Sequence, residues 1–395
     1  MLKAIKESKR LAVTALVAAT CCLMPAVASA DVFLSVRIGP PALPVYTQPP
    51  CPQPNYLWTP GYWAYGPMGY YWVPGVWIAP PQVGLLWTPG YWGFGGGIFA
   101  WHAGYWGSHV GFYGGVDYGF GYRGSGFVGG GWSGGAFRYN TAVVNVNTTV
   151  VRNVYVDRTV INNTSIVNNR ASFSGQGGVV AQPTSQERAF EHEQHFQPTT
   201  NQISHEQNAG QDRSQFASFN HGRPTVASMD TINGRRFDQQ ARIANGVGSG
   251  QLTAGETKHL EGREANINHE VHADRQANGG TPTPQERAKV NQQQNSASRN
   301  IYADKHNAAV SSYRNNEVGQ RREQQQQRVA QGIRDGQLSA GQTRNIEQRE
   351  QNINHHVAAD RKANGGKLTP QEHKQVNHEQ NHASKEVHDD RHEPR

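Results

Sequence analysis

The chain has 395 residues, and its 37 Lys and Arg against 30 Asp and Glu give a formal charge of +7. With 36% hydrophobic residues and 44 glycines, this composition argues against one large core. It is also too weakly basic to imply nucleic acid as a partner.

The first thirty residues read as an export leader. Lys3, Lys6, Lys9 and Arg10 precede an apolar run from Leu11 to Val27, and Ala28-Ser29-Ala30 supplies a small-residue cleavage site before Asp31. A retained anchor helix is disfavoured because Pro25 and that site end the run. Cleavage removes Cys21, Cys22 and a net charge of +3, so the remainder carries +4 and keeps Cys51 as its one cysteine. No intrachain disulfide can then form, even in an oxidising compartment. The expected destination is the periplasm or the cell surface, and no later segment has the ~20 apolar residues that span a bilayer.

Residues 31–55 are Pro-rich and read as an extended lead-in. Residues 56–107 hold four six-residue units: Trp58 to Trp63, Trp72 to Trp77, Trp87 to Trp92 and Trp101 to Trp106, starting 14, 15 and 14 residues apart. The first three place Pro-Gly between the tryptophans, and the fourth has Ala103-Gly104. Pro then Gly suits the centre of a type II turn, which would set the two tryptophans of one unit opposite each other. Type II turns match strand twist poorly, so a wider bend is the alternative. Either way the segment reads as an antiparallel β meander whose indoles supply the core.

Residues 108–182 continue as a Gly/aromatic stretch and a Val/Asn-rich stretch. Val144, Val146, Thr148 and Val150 alternate with polar residues, as do Val154, Val156, Arg158 and Val160. That alternation predicts strands. Composition changes near residue 183, where Thr184 and Glu187 form a capping box, and 183–240 read as broken helix and linker.

The Trp units resemble the YXWGXW (WXXGXW) repeat family of exported bacterial proteins. The resemblance extends to "HVGFYGGVDYGFGYRG", "NVNTTVVRNVYVDRTVINNTSIV" and "QPTTNQISHEQNAGQDRSQFASFNHGRPTVA", covering about residues 50–228. It implies an exported location and supplies neither an activity nor site residues.

The C-terminal part is duplicated. Residues from Arg242 align without gaps to those from Arg328, an offset of 86. Helical repeat 1 covers 241–306, a connector 307–327, and helical repeat 2 covers 328–395. Capping boxes at Thr253/Glu256, Thr283/Glu286, Ser339/Gln342 and Thr369/Glu372 predict two long helices per repeat, with a short helix leading in. The apolar stripes are narrow: Leu260, Ile267, Val271 and Val290, Ala297, Ile301, then Ile346, Ile353, Val357 and Val376, Ala383, Val387. Stripes this thin predict hairpins completed by docking or self-association. The duplication resembles small exported helical repeat proteins with a degenerate EF-hand outline. The front half of each loop lacks the oxygen ligands that calcium needs, and Arg275 and Arg361 stand at ligand positions.

The whole reads as α+β and modular. Two constellations are candidate sites. The aromatic face is Trp58, Trp63, Trp72, Trp77, Trp87, Trp92, Trp101 and Trp106, which would stack on glycan if exposed and form core if buried. The His pairs His378/His382 and His388/His392 have i,i+4 spacing suited to a metal, although the first repeat keeps only His306 of the four. Gly131-Trp-Ser133-Gly-Gly135 and the Gly119–Gly124 string match catalytic and phosphate-binding patterns without the strand-to-helix context those require. No cofactor and no catalytic residues are implied. The reading is a non-enzymatic envelope structural or interaction protein. Its partner would be an envelope polymer or protein, with glycan binding by the aromatic face and His-based metal binding as alternatives.

Overall fold

The computed structural model describes residues 35–162, 170–313 and 316–392. The expected export leader lies outside them. From Val36 onward the chain forms one unit of α+β construction, with the strands first and the long helices after Thr231.

Strands β1 (Leu57–Thr59), β2 (Tyr62–Gly66), β3 (Gly69–Val73) and β4 (Val76–Ile78) form a single hairpin interrupted on both sides. β2 pairs with β3 through Trp63↔Trp72, and β1 pairs with β4 through Trp58↔Trp77. Strands β5 (Leu86–Thr88), β6 (Tyr91–Gly95), β7 (Ile98–His102) and β8 (Tyr105–Gly107) repeat the arrangement, with Trp92↔Trp101 and Trp87↔Trp106. The expected pairing of the two tryptophans within one unit is therefore corrected. Each tryptophan faces one in the neighbouring unit, because the chain reverses between units. The reversals are at Pro67-Met68 and at Gly96-Gly97, where both glycines have positive φ, as a primed hairpin turn requires.

The Pro-Gly steps are breaks in the ladder, and their glycines serve close approach. Gly61, Gly75, Gly90 and Gly104 are not among the positive-φ residues. A Cβ on Gly61 would lie 2.3 Å from Cζ2 of Trp72, and one on Gly75 would lie 2.4 Å from Cζ2 of Trp58. Gly90 meets Trp101 and Gly104 meets Trp87 at 2.5 Å. The first indole of each unit thus lies flat against the glycine of its partner unit.

The two broken hairpins pack on each other. Trp92 Nε1 donates to the carbonyl of Trp63 at 2.7 Å, Tyr70 meets Trp92 edge-on at 5.3 Å, and Tyr62 stacks on Trp101 at 5.2 Å. Carbonyls freed at the ladder breaks need donors. The Gly/aromatic stretch supplies them: Tyr118 Oη donates to Gly90 O and Tyr122 Oη to Trp87 O. This stretch contains β9 (Asp117–Gly119), β10 (Tyr122–Arg123), β11 (Gly130–Ser133) and β12 (Ala136–Asn140). β11 and β12 form a hairpin across Gly134-Gly135, so Ser133 sits in a strand-turn-strand setting.

The expected strand over Val144–Val150 is corrected to turns flanking a single parallel bridge from Val146 to Cys51, and Val154–Tyr155 (β13) is the only part of the second run that is extended and paired. Asn side chains cause this. Asn140 Nδ2 donates to the carbonyls of Val128 and Asp157, its Oδ1 accepts from Ala142 N and Asp157 N, and Asn147 Oδ1 accepts from Thr149 N. Such bonds compete with a sheet ladder. A short strand β14 (Phe173–Ser174) runs parallel beside β6.

Residues 196–229 line the free edges of the hairpins. Trp106 and Phe196 exchange both backbone bonds, and Gly75 bonds Ala227 and Met229. Phe216 packs on Tyr71 at 5.3 Å. α1 (Ser185–Phe190) precedes the segment and α2 (Thr200–Gln211) lies within it, both with capping boxes.

The helical part is α3 (Thr231–Gly248), α4 (Ala254–Ala277), α5 (Pro284–Lys305), α6 (Glu317–Arg334), α7 (Ala340–Ala363) and α8 (Pro370–His392). The lead-in helix is longer than expected and begins at Thr231, capped by Asp230. Each thin stripe is completed by the other repeat. Ile243, Val247, Leu252, Leu260 and Ile301 share one core with Val329, Ile333, Leu338, Ile346 and Val387. These ten are five pairs at the offset of 86, so the repeats bury equivalent faces against each other. Two satellite cores, one per repeat, hold Ile232, Val271 and Val290, and Val318, Val357 and Val376.

Candidate functional site

The predicted aromatic face is mostly interior. Trp58, Trp63, Trp72, Trp77, Trp87, Trp92 and Trp106 are buried, and only Trp101 is half-buried. Their ring pairs meet at 5.3–5.4 Å, edge-on or tilted, which is the preferred aromatic geometry. Four of the indole N–H groups bond within the protein: Trp63 donates to Ala42 O, Trp72 to Ala227 O, Trp77 to Pro49 O and Trp106 to Gln202 Oε1. The exposed-face alternative needed several of Trp58, Trp72, Trp87 and Trp101 exposed on one face, and of these only Trp101 is even half-open. The structure instead makes the others the core that holds lead-in, hairpins and edge segment together.

His378, His382, His388 and His392 lie along the exposed face of α8. His388 and His392 stack at 4.3 Å, and the His392 ring bonds the His388 carbonyl. Among the described residues no group of three or more His, Cys, Asp or Glu is placed to hold a metal ion. The pairs remain two-donor sites on a solvated surface.

Cys51 is buried, and its Sγ lies 3.7 Å from Tyr139 Oη. Burial pushes its thiol up to about 12. Thiolate is the reactive form, so Cys51 should resist a thiol reagent at neutral pH in the folded chain and react fully in denaturant. A folded-state reaction as fast as a free thiol's would contradict this burial.

Sequence reading missed a large cleft. It has a volume of about 1070 Å³ and lies between α2, α3 and the α6–α7 junction. Arg213, Arg236, Arg334 and Arg391 line it against one acid, Asp212, with amides such as Asn201, Asn208, Gln211 and Asn268 between them. None of the four arginines has an ion-pair partner within 4.0 Å among the described residues. Arg213 lies over the Phe219 ring at 4.0 Å, and Arg391 Nε donates to Gln337. Arg236 is open to solvent, yet desolvation by the surrounding protein lowers its pKa. No local motif announces this site, because its walls come from three segments far apart in sequence.

A second, smaller cavity of about 90 Å³ lies where the four ladder breaks converge, beside His205 and Glu206 of α2. No helix among the described residues is long and apolar enough to cross a membrane.

The WXXGXW repeat matches the chain as two copies, at residues 54–77 and 83–106. Each copy takes in two of the four Trp units and coincides with one broken hairpin. No curated protein and no solved structure matches the chain.

Proposed function

We propose that this is an exported, non-enzymatic envelope protein that holds a carboxylate-bearing envelope polymer or peptide in the arginine-lined cleft. The WXXGXW copies are its scaffold. The observation that carries the reading is the set of four guanidiniums without ion-pair partners lining one cleft. Guanidinium matches carboxylate in charge and in planar bidentate geometry, and the intervening amides suit the polar backbone of an extended chain.

The reading departs from the stacking of sugars on tryptophan, since seven of the eight indoles are spent on packing. It keeps the partner class, an envelope polymer or protein, and the export expected from the leader. The His face of α8 has no third ligand among the described residues and is left out.

The test is binding of the full processed chain to purified sacculi and to a labelled oligoglutamate, followed by anisotropy and sedimentation. Each hydrogen bond to a charged group is worth about 1.5–3 kcal/mol, so Arg236→Gln with Arg334→Gln should weaken oligoglutamate binding at least ~10-fold. Added salt should weaken it further. Unchanged binding in the double variant, with near-ultraviolet circular dichroism intact, would remove the proposal.

A further inference from the structure

The 90 Å³ cavity has a different chemistry from the cleft. Pro60, Pro74, Pro89 and Ala103, the equivalent residue of each Trp unit, all line it. Aromatic walls come from Tyr62 and Trp101, one from each WXXGXW copy. Three rigid proline rings and Ala103 in place of a fourth shape an apolar site that neither copy could form alone.

One acid enters it. Glu206 of α2 accepts a hydrogen bond from Tyr62 Oη at 2.8 Å, and no Lys or Arg pairs with it among the described residues. The other polar side chains that line the cavity are already engaged. His205 Nε2 bonds Pro74 O at 2.7 Å, Gln202 Oε1 accepts from Trp106, Thr59 Oγ1 donates to Val76 O, and Tyr118 Oη donates to Gly90 O. Burial lowers the His205 pKa, so His205 is neutral near pH 7 and does not balance the acid. A half-buried carboxylate among aromatic rings, with tyrosine hydroxyls as partners, is a site short of one positive charge.

We propose that this cavity binds a compact organic ammonium ion, with Glu206 as counter-ion and the proline and aromatic lining in contact with its methyl groups. Its volume is smaller than the ~150 Å³ void that takes benzene, so the occupant is limited to a handful of non-hydrogen atoms. A methylated ammonium meets these limits better than a metal ion. Its methyl groups lose little on leaving water for proline and aromatic walls. The occupant also prefers ionised Glu206. Burial raises the Glu206 pKa, so affinity falls as the pH drops through that raised range.

The probe is tetramethylammonium chloride, titrated into the full processed chain by calorimetry and by tryptophan fluorescence, with sodium chloride at matched ionic strength as the blank. Tert-butanol, similar in size and uncharged, is the second arm. The expected result is saturable binding of the cation with a Kd of roughly 1 mM or tighter, at least tenfold weaker in Glu206→Gln, weaker in acid, and no saturable binding of tert-butanol. Equal binding of both probes, retained binding in Glu206→Gln, or no saturation by tetramethylammonium would overturn the proposal. The comparison of the two probes and the pH series use the unaltered protein, so the outcome does not depend on the variant folding. Arg236→Gln should leave this binding unchanged, which separates the cavity from the cleft.

Discussion

Gly61→Ala and Gly75→Ala should each unfold the aromatic half of the protein at temperatures where the parent is intact. The added methyl would sit 2.3 Å from the Trp72 ring at the first site and 2.4 Å from the Trp58 ring at the second. Neither ring can retreat. Trp72 is fully buried and its Nε1 is bonded to Ala227 O, and Trp58 is held edge-on against Trp77. The backbone cannot yield either, because a Cβ on Gly61 is also 2.9 Å from Gly75 N, and one on Gly75 is 3.1 Å from Gly61 N. Overpacking a tight core costs about 1–3 kcal/mol, and here ring and opposing backbone are met together, so roughly 3 kcal/mol or more is expected. Gly95→Ala is the control, since a Cβ there meets nothing within 4 Å. It should cost no more than about 1 kcal/mol. The measurement is the midpoint of near-ultraviolet circular dichroism and tryptophan emission in denaturant. Equal midpoints for Gly61→Ala and Gly95→Ala would show that the indoles do not rest on these glycines.

The same glycines explain where sequence reasoning succeeded and failed. The Trp units, their antiparallel pairing and their role as core follow from composition, because few aliphatic residues compete for burial in that segment. Which tryptophan meets which does not follow from the unit. Pro-Gly is a turn signal and also a spacing for a ladder break, and the two place Trp58 against different partners. The deciding signal lay between units, at Gly66 to Gly69 and at Gly95-Gly96-Gly97, where the chain reverses. The valine run failed for a related reason. Alternation at Val144–Val150 favours a strand, but Asn140 and Asn147 offer the backbone nearer partners. In the helical half the caps and long helices were legible, since each cap is a local device. The mutual docking of the repeats was suggested only by stripes too thin to stand alone. The cleft and the cavity were not legible, because each is assembled from segments distant in sequence.

Raising the pH from about 5 to about 8 should destabilise the helical half, and the cause is a duplicated feature of its interior. Glu261 and Glu264 on α4, and their equivalents Glu347 and Glu350 on α7, are all at most 1% exposed. Gln240 donates to Glu261 at 2.9 Å and Gln326 to Glu347 at 3.0 Å, while both oxygens of Glu264 and one on each of the others have no hydrogen-bond partner among the described residues. Arg235, Arg236, Asp238 and Arg242 face Glu264 from α3. Arg322 and Arg328 face Glu350 from α6, and Tyr313 approaches from the connector. Burial outweighs these cations. It pushes Glu261 up to about 8 and Glu264 and Glu350 up to about 7, and it raises Glu347 well above the usual carboxylate range with help from the Glu350 charge. Each folded pKa therefore lies above the value of the unfolded chain, about 4.3. Below that value both states hold the proton and there is no penalty. Above it the unfolded chain releases protons that the fold retains, and stability falls by about 1.4 kcal/mol per pH unit per group until the folded pKa is passed. One such group acting over two units is worth about 2–3 kcal/mol, a large share of a typical domain's stability. Glu261→Gln with Glu347→Gln removes two of the four titrations and keeps the shape and the amide contacts. That variant should come closest to the parent near pH 4 and exceed it clearly near pH 8, read from helical circular dichroism during thermal unfolding. Parallel midpoint curves for parent and variant across that range would mean that these carboxylates ionise freely in the fold, and the assignment of the acid-favoured interior would be withdrawn.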